Sequence, residues 1–529
     1  MRICCALILV CVGFWSNSVF ASAAVQTVGG GQNIQDAINN ASPNGTIFIV
    51  GRHEVPSGTP FLINTPGLKI VGQSGGLIDG HSTTVNATLT GNTASGSAVI
   101  SGLSSTVNLR IGAAVTGIGI GASASIRSIN SATQVTLTVV STATATGVSL
   151  TFTSSPSDND IFTITANNVS IQGLTLNNGV KQINCTGAVT GLYVYNCLSN
   201  NAIDCFVNSD SSASTVLSNT IRGCQGGTGL AAINFSPGSY SNASAPATKA
   251  NILIQSNLIQ KCLNGAVSAT TDDVRLYNNL INLSEGATAV VIAGNFPVIN
   301  SITVENTALD AISLTGPKAV VYNTLLQYGG GNGVVILGDQ SRVTFNLAQH
   351  LEGQGYNITT QTNTAGTLVS SCTASNCLGE GFALNTFGAT VSNNTTTLTQ
   401  GYLVSSDSNF LTGNSANNVS VRGFLITGTS NTLTSCAVYY SAANGFDSEA
   451  ATGVNTFKSV LAVNCAGQGF MVGSTGQASV SQSNFSNNRA GGNVTVGAGA
   501  SFSIYTSNIP AGTTAGPAYG GAWPPPEIP

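Results

Sequence analysis

Charged side chains are scarce in this chain: Asp, Glu, Lys and Arg make up 6% of its 529 residues. Where they gather, they invite a chemical reading. One gathering is His350, Glu352, Glu380 and Arg422. Hydrolysis of a glycosidic bond needs two carboxylates about 5 to 9.5 Å apart, one as acid and one as base or nucleophile. Elimination beside a sugar carboxylate instead needs a group that neutralises that carboxylate and a base that takes the adjacent proton, roles open to Arg and His. The other gathering is Asp272, Asp273, Arg275 and Glu285. A hard cation requires several convergent oxygens. Adjacent aspartates diverge on a strand and converge only at a turn, so Ca²⁺ at Asp272–Asp273 competes with an ordinary solvated turn. No other metal or cofactor is expected.

These groups must be positioned by a repeat. A Gly-aromatic pair returns at Gly355-Tyr356, Gly381-Phe382, Gly401-Tyr402, Gly423-Phe424, Gly445-Phe446 and Gly469-Phe470. The spacing of 20 to 26 residues is that of one solenoid turn. A short alternating strand follows each glycine, as in Phe424-Leu425-Ile426, with the aromatic and the residue two further on facing inward. Weaker copies occur at Asn264-Gly265-Ala266-Val267 and Asn332-Gly333-Val334-Val335-Ile336. Each unit also carries an earlier strand ending in a polar turn, such as Ile254-Gln255-Ser256-Asn257 or Val343-Thr344-Phe345-Asn346. Asn there tolerates left-handed backbone and stacks on the Asn above it. About fifteen coils fit between residues 160 and 508, a rod on the order of 70 Å at about 4.8 Å per coil.

In this register the residue before each repeat glycine faces outward: Asp310, Asn332, Gln354, Glu380, Gln400, Arg422, Asn444 and Gln468. Glu352 and Glu380 then stand about 8 Å apart, one coil and two residues removed, a separation suited to an inverting hydrolase. The competing reading is an amide face with one Glu and one Arg two coils apart. Composition favours amides for a physical reason. Like charges stacked about 4.8 Å apart repel by about 1 kcal/mol even in water, whereas amides and hydroxyls hydrogen-bond up the stack.

Residues 1–23 have the form of an export signal, with Arg2, the apolar run Ile3 to Phe14 and the small-residue site Ala21-Ser22-Ala23. The expected mature chain begins near Ala24 and is secreted or surface-associated, and no later apolar run is long enough to span a bilayer. Twelve cysteines less the three in that signal leave nine, an odd number. Their recurrence at fixed coil positions favours buried thiols inside the solenoid over disulfides or metal ligands. A formal net charge of −4 gives no basic stripe for nucleic acid.

Gln32 to Ala41 has helical apolar spacing and suits a cap on the open first coil. The strand Thr46-Ile47-Phe48-Ile49-Val50, then Leu68-Lys69-Ile70-Val71-Gly72 and Leu77-Ile78-Asp79-Gly80, follow it. This beginning, with the later repeats, resembles the pectin-lyase-like right-handed parallel β-helix superfamily over about four-fifths of the chain. The resemblance implies an all-β solenoid spanning 24–82 and 156–509. Residues 83–155 break the pattern with five short strands and resemble a small inserted β module of bacterial surface and phage-associated proteins. Residues 510–529 are proline-rich and read as an extended tail. The superfamily hosts lyases, hydrolases, epimerases, tailspikes and adhesins, so the fold does not choose an activity. Its enzyme motifs are missing here: no paired-aspartate and Gly-His-Gly set, no Arg-x-Pro-x-x-Arg, no Asp-Pro-containing epimerase motif. The reading therefore favours a non-catalytic solenoid that binds polysaccharide or cell-surface glycan, with a polysaccharide lyase or glycoside hydrolase as the alternative.

Overall fold

The computed structural model describes residues 24–507 apart from 57, 83–84, 155–156, 188, 237–250, 284–286, 361–363, 451, 489–492 and 506. The expected signal (1–23) and proline-rich tail (510–529) lie outside the described residues.

Each coil contributes three short strands, as in Ile252–Gln255, Leu258–Gln260 and Val267–Ala269. The first two enter one 32-stranded sheet and the third enters a 16-stranded sheet. Equivalent residues of successive coils pair in parallel without a shift, for example Leu253↔Arg275, Ile254↔Leu276 and Gln255↔Tyr277. The product is a right-handed parallel β-helix of about 19 turns. In the 16-stranded sheet one strand, Phe61–Ile63, precedes the insertion. The other fifteen run from Phe162–Ile164 to Val494–Val496, matching the coil count expected from the repeat.

Stacking coils at about 4.8 Å brings identical side chains to the spacing of offset aromatic rings. Tyr356, Phe382, Tyr402, Phe424 and Phe446 accordingly form a buried column with centroids 4.7, 4.9, 4.4 and 5.0 Å apart. The glycine before each ring is required by close approach. A Cβ on Gly423 or Gly445 would sit 2.5 Å from the carbonyl oxygen of the next coil's glycine.

The polar turn divides its work between two residues, where a single Asn was expected to do both. Ser256, Asn278, Asn323 and Phe345 take the left-handed backbone, with φ of 53 to 56°. The residue after each is buried, and three of the four are Asn. Asn257 Nδ2 donates to Asn279 Oδ1 at 3.0 Å, and the backbone N–H of Asn257 donates to the same oxygen at 3.0 Å. This interior column satisfies corner amides that no strand ladder reaches.

All nine cysteines of the described residues are free and buried. Burial pushes the thiols of Cys372, Cys377, Cys436 and Cys465 up to about 11, so they remain protonated and chemically quiet.

A six-residue helix, Ile34–Asn39, covers the first coil with Ile34, Ala37 and Ile38. Asn33 caps it by accepting from the Gln35 N–H at 2.8 Å. Between His81–Ser82 and Ser157–Asp158, which pair with each other, the chain leaves the solenoid. Val85–Thr93, Ala145–Ser154 and Ala114–Gly117 form one antiparallel sheet, and Val99–Ile100, Gln134–Leu137 and Ile126–Ser131 another. They enclose a core of their own around Leu150, Phe152, Val135 and Ile100. The first of these strands was not among the five expected, because its residues Val-Asn-Ala-Thr-Leu-Thr-Gly-Asn-Thr are mostly polar. Across the insertion the solenoid resumes in register, with Ile171 on Ile70 and Gln172 on Val71.

Candidate functional site

The outward column before the repeat glycines is a hydrogen-bonded ladder. Asn332 Nδ2 donates to Asp310 Oδ1 at 3.0 Å, the Gln354 N–H to Asn332 Oδ1 at 2.8 Å, and Gln354 Nε2 to Glu380 Oε2 at 2.8 Å. Glu380 is half-buried and engaged by this amide. Glu352 is exposed on a bend. Leu351 pairs with Cys377, which sets Glu352 one coil and two residues from Glu380, the offset expected. His350 adopts a left-handed backbone with φ of 54° and stacks on Tyr328, centroids 5.1 Å apart and planes within 7°. The structure thus brings His350 to an aromatic ring and Glu380 to an amide.

Arg422 belongs to a different group. Its Nε lies 2.9 Å from Asp447 Oδ2 and its Nη1 donates to Glu449 Oε1 at 3.2 Å. Asn444 Nδ2 donates to Asp447 Oδ1 at 2.7 Å. Asp447 occupies the middle of the strand Phe446–Ser448, where neighbouring coils carry Leu425 and Met471. Its side chain is fully buried, and that burial raises its carboxyl to about 6 against the opposing pull of the Asn444 hydrogen bond and Arg422. Sequence reasoning passed over Asp447 and Glu449. The available signal was the substitution of Phe-Asp-Ser-Glu for the apolar Phe-Leu-Ile of the preceding coil.

A second outward, half-exposed ladder lies on the strands that precede this corner. Gln349 Nε2 donates to Gln327 Oε1 at 2.8 Å, and Gln327 Nε2 donates to Glu305 Oε1 at 2.6 Å. From the other side Asn282 Nδ2 donates to Glu305 Oε2 at 3.2 Å. The next residues along the chain, Tyr328 and His350, are the stacked pair, and Tyr328 is exposed. The result is a strip of half-exposed amides, centred on one carboxylate and edged by rings. Each primary amide has a second N–H and a second lone pair beyond those its ladder uses. A third ladder, Asn234 to Asn208 to Asn184, ends on Asp160 Oδ2.

Asp272 and Asp273 turn to different partners. Asp272 accepts from the backbone N–H of Asn295 at 2.7 Å and from its Nδ2 at 3.2 Å. Asp273 is bridged by both Arg275 Nε and Nη2, at 3.0 and 3.1 Å. Glu285 lies outside the described residues. Among the described residues no group of three His, Cys, Asp or Glu side chains converges to hold a metal ion. Nor is any described helix long and apolar enough to cross a membrane.

By its strand pairing the chain has the parallel β-helix fold. Solved structures of similar architecture include a GH87 α-1,3-glucanase catalytic domain in complex with nigerose, at 11% identity and a TM-score of 0.35, covering 79% of this chain and 88% of that one. An alginate lyase of the PL6 family matches at 9% identity and a TM-score of 0.38, covering 92% of this chain and 80% of that one. The receptor-binding domain of the siphovirus 9NA tailspike matches at 10% identity and a TM-score of 0.30, covering 94% and 77%. These likenesses are of fold alone. No protein-family model matches the chain, and no curated protein matches it.

Proposed function

We propose that this protein is a secreted or surface-associated solenoid that binds polysaccharide without cleaving it. The observation that carries the reading is the Asn282–Glu305–Gln327–Gln349 strip beside the Tyr328–His350 stack. Sugar hydroxyls are met by amides and a carboxylate that offer both donors and acceptors, and the C–H face of a sugar ring packs on an exposed aromatic. Repetition at coil spacing suits a polymer that makes the same weak contact several times. A glycan array followed by titration calorimetry tests it. Binding is expected to fall at least tenfold in Tyr328→Ala and in the Glu305→Ala, Gln327→Ala double variant, with the melting temperature unchanged. Absence of binding to any neutral or acidic glycan overturns the proposal.

A second reading, hydrolysis or elimination on a glycan, draws on Arg422, Asp447 and Glu449. Arg422 and Glu449 are the members of this set open to solvent, and the fully buried Asp447 acts by holding Arg422 from beneath. Glu352 and Glu380, one coil apart, are the alternative pair. Reducing ends or absorbance at 235 nm, measured across pectins, alginates and bacterial capsules, distinguish this reading. Activity lost in Glu449→Gln assigns it to the first set, and activity lost only in Glu352→Gln or Glu380→Gln assigns it to the second.

A further inference from the structure

We infer that the groove between the first coils and the inserted domain is a site for a sugar carboxylate, such as a uronic acid residue of an acidic glycan. The groove encloses about 480 Å³, within the range of small-molecule sites, which often form where domains meet. One wall is the end of the strand Thr46–Glu54, with Arg52, His53 and Glu54. The other belongs to the insertion, with Leu109, Arg110, Ile111 and Ile129.

The walls are fixed to each other. The Ile129 N–H donates to Gly31 O at 2.8 Å, and Arg127 Nε donates to Asp36 Oδ2 at 2.6 Å. Arg110 Nε donates to Glu54 Oε1 at 3.1 Å, while its Nη1 donates to the carbonyls of Val107 and Leu109 at 2.9 and 2.8 Å. Arg52 Nη2 approaches the same Glu54 oxygen at 3.5 Å and reaches Asp79 Oδ2 at 2.9 Å. Two guanidiniums therefore converge on one carboxylate oxygen. Asp79 divides its charge further, because its Oδ1 accepts from Asn178 Nδ2 and the His81 N–H. Burial of His53 lowers its pKa and keeps it neutral at neutral pH.

An arginine carries five N–H donors in a planar fork that matches a carboxylate. Arg52 meets both of its acid partners through Nη2, and its side chain is 61% exposed. That leaves donors for a ligand at a point where a second cation stands. The Leu109, Ile111 and Ile129 wall adds an apolar surface that a ring's C–H face would cover and that inorganic phosphate would not. This site is separate from the amide strip, so either can fail without the other.

The test is calorimetric titration of the full chain with a uronic acid trisaccharide, the neutral trisaccharide of the same linkage, and inorganic phosphate. The uronate is expected to bind more tightly than the neutral sugar, which has the amide strip alone, and more weakly as salt rises. Arg52→Gln should weaken it at least tenfold with an unchanged melting temperature. Arg110→Gln should also weaken it and loosen the insertion, whereas Arg342→Gln, at an exposed cation remote from the groove, should leave uronate binding here intact. No uronate binding, equal binding of the neutral sugar or of phosphate, or binding indifferent to Arg52→Gln would each overturn the assignment.

Discussion

Replacing Asp447 by asparagine should remove a specific piece of the protein's pH dependence. The Asp447 side chain is fully buried, and its carboxyl lies near 6 where an exposed Asp has 3.8, chiefly because burial disfavours the charge. A shift of two units corresponds to about 3 kcal/mol. Because the folded state holds this proton more tightly than the unfolded chain, the contribution is fully present below pH 4. It is lost as pH rises through 6. The amide of the Asp447→Asn variant would keep an acceptor for Asn444 and leave Arg422 with Glu449, but it cannot titrate. The stability of wild type relative to Asp447→Asn should thus fall by about 2 kcal/mol between pH 4 and pH 7, most of the whole effect. Stacked coils open locally, so the assay is hydrogen exchange of the Leu425 and Met471 strand amides at several pH values, alongside guanidinium melts. Parallel pH curves for the two proteins would refute the buried-acid argument.

Other perturbations follow from the same packing. Phe424→Ala removes a fully buried ring lying 4.4 Å from Tyr402 and 5.0 Å from Phe446, at an expected cost of about 3 to 5 kcal/mol. Hydrogen exchange should show it confined to the neighbouring coils. Gly423→Ala places a Cβ 2.5 Å from Gly445 O, so the melting temperature should drop although the substitution adds one methyl group. Asn414→Ala removes the acceptor of both the Asn394 N–H and its Nδ2. Each buried donor left unpaired costs about 1 to 3 kcal/mol, readable in the same exchange experiment. Thiol reagents at pH 8 should leave the nine buried cysteines unmodified until denaturant is added, and rapid native labelling would contradict their place in the core.

Much of the fold was legible because a parallel solenoid writes its geometry into the sequence. Gly423-Phe424-Leu425-Ile426 states the close approach, the inward ring, the outward residue and the second inward residue in four letters, and Phe424 and Ile426 are indeed buried. The helix over Ile34–Asn39 was visible for the same reason, its buried side chains recurring at three and four residues. Legibility failed where a residue's role depends on another coil. Asn257 and Asn279 were expected to take the left-handed turn as well as to ladder; they ladder, but the turn falls to Ser256 and Asn278, because only the stacked coils show which of two polar neighbours turns inward. Asp447 and Glu449 escaped notice because their partner Arg422 is contributed by the preceding coil.

The few acids show why charge is sparse on these faces and where it still asks for an explanation. In a column of amides each N–H donates to the next carbonyl, and the last donor needs an acceptor that offers lone pairs without a competing N–H. Asp160 supplies it for Asn184, Glu305 for both Asn282 and Gln327, Asp310 for Asn332, and Glu380 for Gln354. These carboxylates terminate ladders. Their role needs no substrate, which weakens catalysis at Glu380 and supports an amide surface made for recognition. Asp447 differs: its neighbours up and down the sheet are Leu425 and Met471, so no strand-to-strand amide column ends there, and its charge is met from the side by Arg422 and Asn444. If the solenoid has a catalytic coil, Arg422 and the half-buried Glu449 are the groups there that solvent reaches. Loss of any glycan cleavage in Glu449→Gln, with Glu380→Gln unaffected, would place it there.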